Sequence, residues 1–519
     1  MRNASASVMS TFSCRHMALL GLVVVTIGAC SVGGEQGSAA PTDMVRIVVP
    51  EEPETLEPCM NAFTSTGRIG RQNLTEGLTY RNPTSGEISP LLATEYEQTD
   101  PQTWRFMLRE GVTFHDGSAL DAEDVVATMR RVFNPELACG VTSEYFGENI
   151  VQSTAVDATT VEFRTGTPDP ILPLRLSFVG IVPSDTNPDA RVREPIGTGP
   201  YEFGSWEPGL RLTLNRYSDY WGEEPDFATA NYEWRSEATT RASMVQNGEA
   251  DIATQLTALQ VNDEYAVTFN TNETPYLRLD PTQPPMNDIR VREAINLAID
   301  RQALLDTIFG GVGELASQLV PEGVVGHNPQ IPVWPYDPER ARALIAEAQA
   351  DGVATDTPIR LIGRNGIYPR SSEAMEVVQA QLESVGLNVD IEMLEVSEWL
   401  QYMIRPFPAD VGPAITQGQH GNQSGDASFT MYNNYGTNGG QSTYGTPELD
   451  AMIARAAEAS GEERQRLFAE ALAYQNDEVI RDAVMVRLAG VIAISPRVVY
   501  EPNSATPDEL RLADVSLAQ

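Results

Sequence analysis

Residues 104–131, WRFMLREGVTFHDGSALDAEDVVATMRR, leave the chain few choices of local structure. Side chains alternate in the first part, so Trp104, Phe106 and Leu108 fall on one face of a strand and Arg105, Met107 and Arg109 on the other. Residues 112–115 read as a return strand, with Asp116-Gly117 as the tight-turn pair. Asp121 is then placed to cap a helix, with Asp124 in its first turn and Val125, Val126 and Met129 as an apolar stripe. The expected unit is strand, turn, strand and capped helix, with His115 a structural residue beside the turn rather than a metal ligand.

A chain of 519 residues exceeds what one core usually serves, so two or three lobes are expected. Its mean hydropathy of −0.25 suits a soluble globular protein. Lysine is absent, so all 35 basic residues are arginine, set against 72 acids for a net charge of −37. That balance repels nucleic acid, and without lysine there is no Walker phosphate loop and no Schiff base. Gly197-Thr198-Gly199 is therefore no phosphate cradle. Histidine occurs only at 16, 115, 327 and 420, with no HExxH spacing and no GxSxG. No convergent catalytic or metal-holding set emerges, which favours a binding protein over an enzyme and implies no cofactor.

Arg2 and Arg15 precede an apolar run at 17–27 that is too short to cross a bilayer, and Gly28-Ala29-Cys30 ends it. This end resembles the lipobox of bacterial lipoproteins, which implies a signal peptide at 1–29, a lipidated Cys30 and a Gly/Ser/Ala-rich tether at 30–42. Cys59 and Cys139 remain, either as a disulfide in an oxidising compartment or as two lone thiols.

Several longer motifs carry a family resemblance. They are Pro90-Leu91-Leu92-Ala93 followed by Trp104-x-Phe106-x-Leu108-Arg109-x-Gly111-Val112-x-Phe114-His115-Asp116-Gly117, then Ile196-Gly197-Thr198-Gly199-Pro200-Tyr201 with Trp206 and Gly209, and Asn287-Asp288-Ile289-Arg290-Val291-Arg292-Glu293-Ala294. Together they resemble the peptide/nickel/oligopeptide (family 5) class of extracytoplasmic solute-binding proteins that feed ABC importers. The resemblance implies an α/β, two-lobed periplasmic-binding-protein type II fold with mixed sheets and an extra subdomain in the first lobe. The first lobe would take 43–75 and 196–275, its extra subdomain 76–195, the second lobe 276–483, and a C-terminal return 484–519. It further implies a monomer outside the cytoplasm, held to the membrane by its lipid, whose partners are permease subunits and a small-molecule or oligopeptide ligand.

In the second half, helices are expected from Asp337 and around 373–382, strands at 358–362 and 389–393, and an open, polar stretch from Gln417 to Gly445. Asp288 should cap a helix that leaves Arg290 and Arg292 outward, and residues 70–80 read as a further helix. A crossing between lobes is expected in the proline-rich passage 275–285. Ligand-facing candidates are Arg364 and Tyr368, after the strand ending near Ile362, and Trp399. By resemblance Arg364 pairs a ligand carboxylate; read alone, it is equally a surface arginine.

The remaining candidates are Gln417, Gln419, Asn422, Asp426 and Tyr432. Peptide binders of the family carry G-W-x-x-D here, whose Asp pairs the peptide ammonium, but this chain has Gln419 and Asn422 in place of the Trp and the Asp. An amide cannot neutralise a buried cation. The amides suit a polyhydroxylated or amide-rich ligand such as an oligosaccharide; otherwise the stretch is a solvated loop, or the chain a receptor or adaptor outside transport.

Overall fold

A computed structural model describes residues 43–60, 69–83, 85–147, 149–422, 424–502 and 510–519. The signal, Cys30 and the tether lie outside these residues. Among those described, no helix is long and apolar enough to cross a membrane, and no group of three or more His, Cys, Asp or Glu is placed to hold a metal ion.

The β-branched run Met44–Val49 becomes the parallel centre of the first sheet, with Thr229–Trp234 on one side and Ile252–Ala253 on the other. Antiparallel strands extend it outward, through Arg211–Arg216 to Tyr201–Glu207 and through Val486–Ile494 to Ala266–Asn270. The second sheet runs in the order Val389–Leu394, Ile359–Arg364, Ala414–Gly421, Glu273–Leu279, Asp482–Val484. Helices Ile289–Ala298, Pro338–Ala350 and Ser371–Ser384 contribute Ile295, Leu344 and Val378 to its core, all buried. Mixed sheets with covering helices make an α/β molecule of two lobes.

Both crossings between the sheets are short and adjacent. Ala266–Asn270 belongs to the first sheet and Glu273–Leu279 to the second, so the chain changes lobe at Thr271-Asn272, ahead of the proline-rich passage. The return occurs at Met485, between Asp482–Val484 and Val486–Ile494. The Thr271 hydroxyl donates to Leu488 O at 2.6 Å and Met485 N to Pro275 O at 3.1 Å, so each crossing is hydrogen-bonded to the strand that follows the other.

The subdomain is a four-stranded antiparallel sheet, Ala93–Asp100, Thr103–Leu108, Thr160–Thr165, Val151–Ala155, under helix Ala122–Val132. Trp104, Phe106 and Leu108 face its core, and Asp121 with Asp124 forms a capping box, worth about 1 kcal/mol. Residues 112–115 are not a return strand. Thr113 makes a single bridge to Ala119, because Thr103–Leu108 is already flanked on both sides and the loop instead reaches the first lobe. There Gly197 N donates to His115 Nδ1 at 3.2 Å, and Nε2 meets Gly199 O at 3.1 Å.

Gly197 and Gly199 permit a close backbone approach, since a Cβ on either would lie 2.1 Å from Leu74 O or 2.4 Å from Asn73 O. Residues 70–78 form turns and loop rather than helix, because the Asn73 amide ties Ile69 and Leu510 and the backbone pairs with 199–201. Cys59 and Cys139 form a disulfide across a sequence separation of 80, beside the buried Glu57–Arg131 pair at 3.0 Å. Arg292 is buried, not outward: its guanidinium donates to Val479 O, Ile480 O and Met286 O.

Candidate functional site

Ile359–Arg364 runs parallel to Val389–Leu394 and to Ala414–Gly421, so the carboxyl ends of all three share one edge. Met44–Val49 and its two parallel neighbours end together in the first sheet. Loops leaving such edges are where open α/β sheets bind ligands. The two edges approach each other: Arg364, last residue of its strand, places Nη2 3.9 Å from the carboxylate of Glu51, two residues beyond Val49. This contact lies where the two carboxyl edges meet, the place that a ligand crevice takes in open α/β sheets.

Arg364 is held from behind. Its backbone N donates to Gln417 Oε1 at 2.8 Å, Gln417 Nε2 donates to the Tyr368 hydroxyl at 2.7 Å, and Trp399 Nε1 donates to Gln417 O at 2.9 Å. The guanidinium lies over the Trp399 ring, 5.6 Å from its centroid. A Cβ at Gly363 would meet Met393 Sδ at 2.5 Å, so glycine is required where the strand delivers the arginine. The Arg364 side chain is 19% exposed, and its Nε is buried without a hydrogen-bond partner. Burial pushes the guanidinium pKa down, while Glu51, Glu54 and Glu395 oppose the shift. An under-satisfied cation at the crevice is a natural partner for a ligand carboxylate.

Most other candidates are turned inward, which corrects their reading as ligand-facing. Tyr368, Gln417 and the Trp399 indole N–H are buried and bonded to one another, because an amide or phenol inside a sheet must be satisfied there. Asn422 Nδ2 donates to Leu319 O at 2.6 Å, and its Oδ1 accepts from Thr430 Oγ1 at 2.9 Å. Asp426 caps the short helix Ala427–Thr430 and takes a bidentate pair from Arg464, 2.7 Å to each oxygen. Burial raises the Asp426 pKa, but Arg464 and Ser428 more than offset that and leave it below the usual range. Gln419 Nε2 donates to Glu273 Oε2 at 2.9 Å.

The start of the stretch expected to be open belongs to the strand Ala414–Gly421, with Gln417 and His420 buried and Gln419 half-buried. His420 Nε2 meets Thr430 Oγ1 at 2.7 Å, and Nδ1 meets Asn434 Nδ2 at 3.3 Å. Gly418 exists for Tyr276, whose ring would lie 2.4 Å from an added Cβ. Like Arg364, Tyr432 reaches across the lobes: its ring packs on Gly147 of the subdomain, 2.8 Å from where a Cβ would sit.

Around Tyr432 lie contacts with the subdomain that sequence reasoning missed. Asn433 Nδ2 approaches Glu144 Oε2 at 3.4 Å, Tyr145 meets Phe429 edge-on at 5.5 Å, and the Arg175 guanidinium lies 5.2 Å over Phe429. Asn433 and Glu144 are 289 residues apart, so no local pattern announces them. Glu51, likewise, was not singled out from the sequence.

Two α/β lobes joined by paired crossings, with facing carboxyl edges, define the two-lobed architecture of a periplasmic-binding-protein fold. Residues 87–442 match the bacterial extracellular solute-binding proteins, family 5 Middle, and the chain belongs to that family.

It is 28% identical over 351 residues to the dipeptide-binding protein of Escherichia coli (strain K12), covering 61% of this chain and 65% of that one. It is also 28% identical over 333 residues to the glutathione-binding protein GsiB of Salmonella paratyphi A, covering 60% of this chain and 62% of that one. The chain thus spans less than two thirds of these relatives' lengths. DppA from Helicobacter pylori, solved in complex with the peptide STSA, superposes with a TM-score of 0.80 at 19% identity, covering 92% of this chain and 98% of that one. That likeness is one of fold.

Proposed function

We propose that the protein is the solute receptor of an ABC-type importer, capturing a peptide-like or other small polar solute that bears a carboxylate and passing it to membrane permease subunits. Arg364 carries this reading: it is under-satisfied, stacked on Trp399, and aimed at the crevice between the lobes. The relatives named for a dipeptide and for glutathione support the class of cargo. The oligosaccharide alternative loses its support, because the Gln417 and Asn422 amides that suited a polyhydroxylated ligand are engaged by protein partners. The reading is of a binding protein, not an enzyme, working as a monomer outside the cytoplasm.

Mass spectrometry of small molecules released by denaturing the purified full chain should identify a carboxylate-bearing cargo. Calorimetry should show R364Q binding it about ten- to a hundredfold more weakly, as expected when a charge-assisted hydrogen bond is lost. Unchanged affinity in R364Q would displace the site. Lipid attachment at Cys30 belongs to the same proposal: C30S should move the chain from the membrane fraction to the soluble one, and a variant still sedimenting with membranes would refute the anchor.

A further inference from the structure

The loop that carries Glu51 continues along one wall of a groove in the first lobe, about 560 Å3 in volume and lined by residues 52–56, Arg191–Arg193, Trp206 and Pro208. That volume lies within the range of small-molecule sites. Two of its charged side chains are already engaged. Glu52 accepts from Trp206 Nε1 at 2.8 Å and from Gly209 N at 3.1 Å, and Arg191 donates from Nε and Nη2 to Leu137 O at 3.1 and 2.8 Å.

Two others are not. Arg193 lies with its guanidinium 5.1 Å over the Trp206 ring and has no carboxylate partner among the described residues, in a chain where acids outnumber arginines 72 to 35. Glu54 also lacks a hydrogen-bonded partner among the described residues, and it acts electrostatically on Arg364. Glu54 lies three residues past Glu51, so one loop runs from the Arg364 contact into the groove.

We propose that this groove is the second half of the ligand site and selects peptide-like zwitterions that carry an additional carboxylate. The inference rests on the reading of Arg364 above. One carboxylate of the ligand sits on Arg364, its ammonium on Glu54, and its second carboxylate on Arg193. A guanidinium held flat on an indole loses little freedom on binding and presents its fork edge to a carboxylate. Glu54 discriminates against ligands that lack a cation, and Arg193 against those with a single acid. The complementary ligand thus has two anionic groups and one cationic group.

The test is calorimetry on the detergent-solubilised full chain with three dipeptides: Ala-Ala, Ala-Gln and Ala-Glu. Ala-Gln is the neutral match in size for Ala-Glu. The wild type is expected to bind Ala-Glu about tenfold more tightly than Ala-Gln, the worth of one charge-assisted contact. R193Q should erase that ratio, and R193K, which keeps the charge without the stacked fork, should restore part of it. E54Q and R364Q should weaken all three dipeptides. If the dipeptides bind through Arg364 but the Ala-Glu to Ala-Gln ratio is one, or R193Q leaves it unchanged, the groove assignment fails while the receptor reading stands. If none of the three binds, the groove assignment fails, while the receptor reading is decided by the cargo released on denaturation.

Discussion

His420 is 7% exposed, and burial depresses its pKa from 6.5 to about 4. Its ring faces only the neutral groups of Thr430 and Asn434 through hydrogen bonds. Between those pH values the unfolded chain binds the proton and the folded chain does not. The stability contributed by the neutral ring is therefore complete above pH 6.5 and lost as pH falls toward 4, by ~3 kcal/mol for the whole shift. Denaturant titrations of H420Q should show a shallower loss across that window than the wild type, whereas identical slopes would assign the acid sensitivity elsewhere. Arg364 was singled out by its resemblance to the family's carboxylate-pairing arginine after a strand expected at 358–362, and it proves to be the last residue of that strand, Ile359–Arg364. The inward turn of Gln417 and Asn422 was not, since nothing local shows that Tyr368 and Leu319 satisfy them.

The turn after Ala414–Gly421 brings Gly425 against Arg81 of the subdomain, where an added Cβ would sit 2.1 Å from Nη2, with φ at +73°. Gly412 has a similar φ of +69° but nothing within 4 Å. Alanine in the left-handed region costs about 1–2 kcal/mol at either position. G425A should cost more than G412A in thermal or denaturant unfolding, because only the former pushes the lobes apart; equal costs would mean that the Arg81 contact yields freely. Elements with a strong period, such as the capped helix at Ala122–Val132, were readable from their own residues. Ala414–Gly421 was not, because a strand buried on both faces shows no alternation and its Gln, His and Gly residues suggest a loop.

The disulfide joins the segment after the first central strand to the subdomain, and Glu57–Arg131 supports the same junction. Closing a loop of 80 residues restricts the unfolded chain by about 4 kcal/mol. Reduction, or the paired C59S/C139S substitution, should lower the unfolding midpoint while the far-ultraviolet circular dichroism of the folded state persists; an unmoved midpoint would show that the bridge constrains nothing. The paired crossings at Thr271-Asn272 and Met485 have a different outcome for the molecule as a whole. Two straps fastened side by side resist shear and twist and leave one soft angle, like a door on two pins. On the proposed reading, a substitution in either strap would alter how often the door stands shut, and so how tightly cargo is held, without touching an atom the cargo meets.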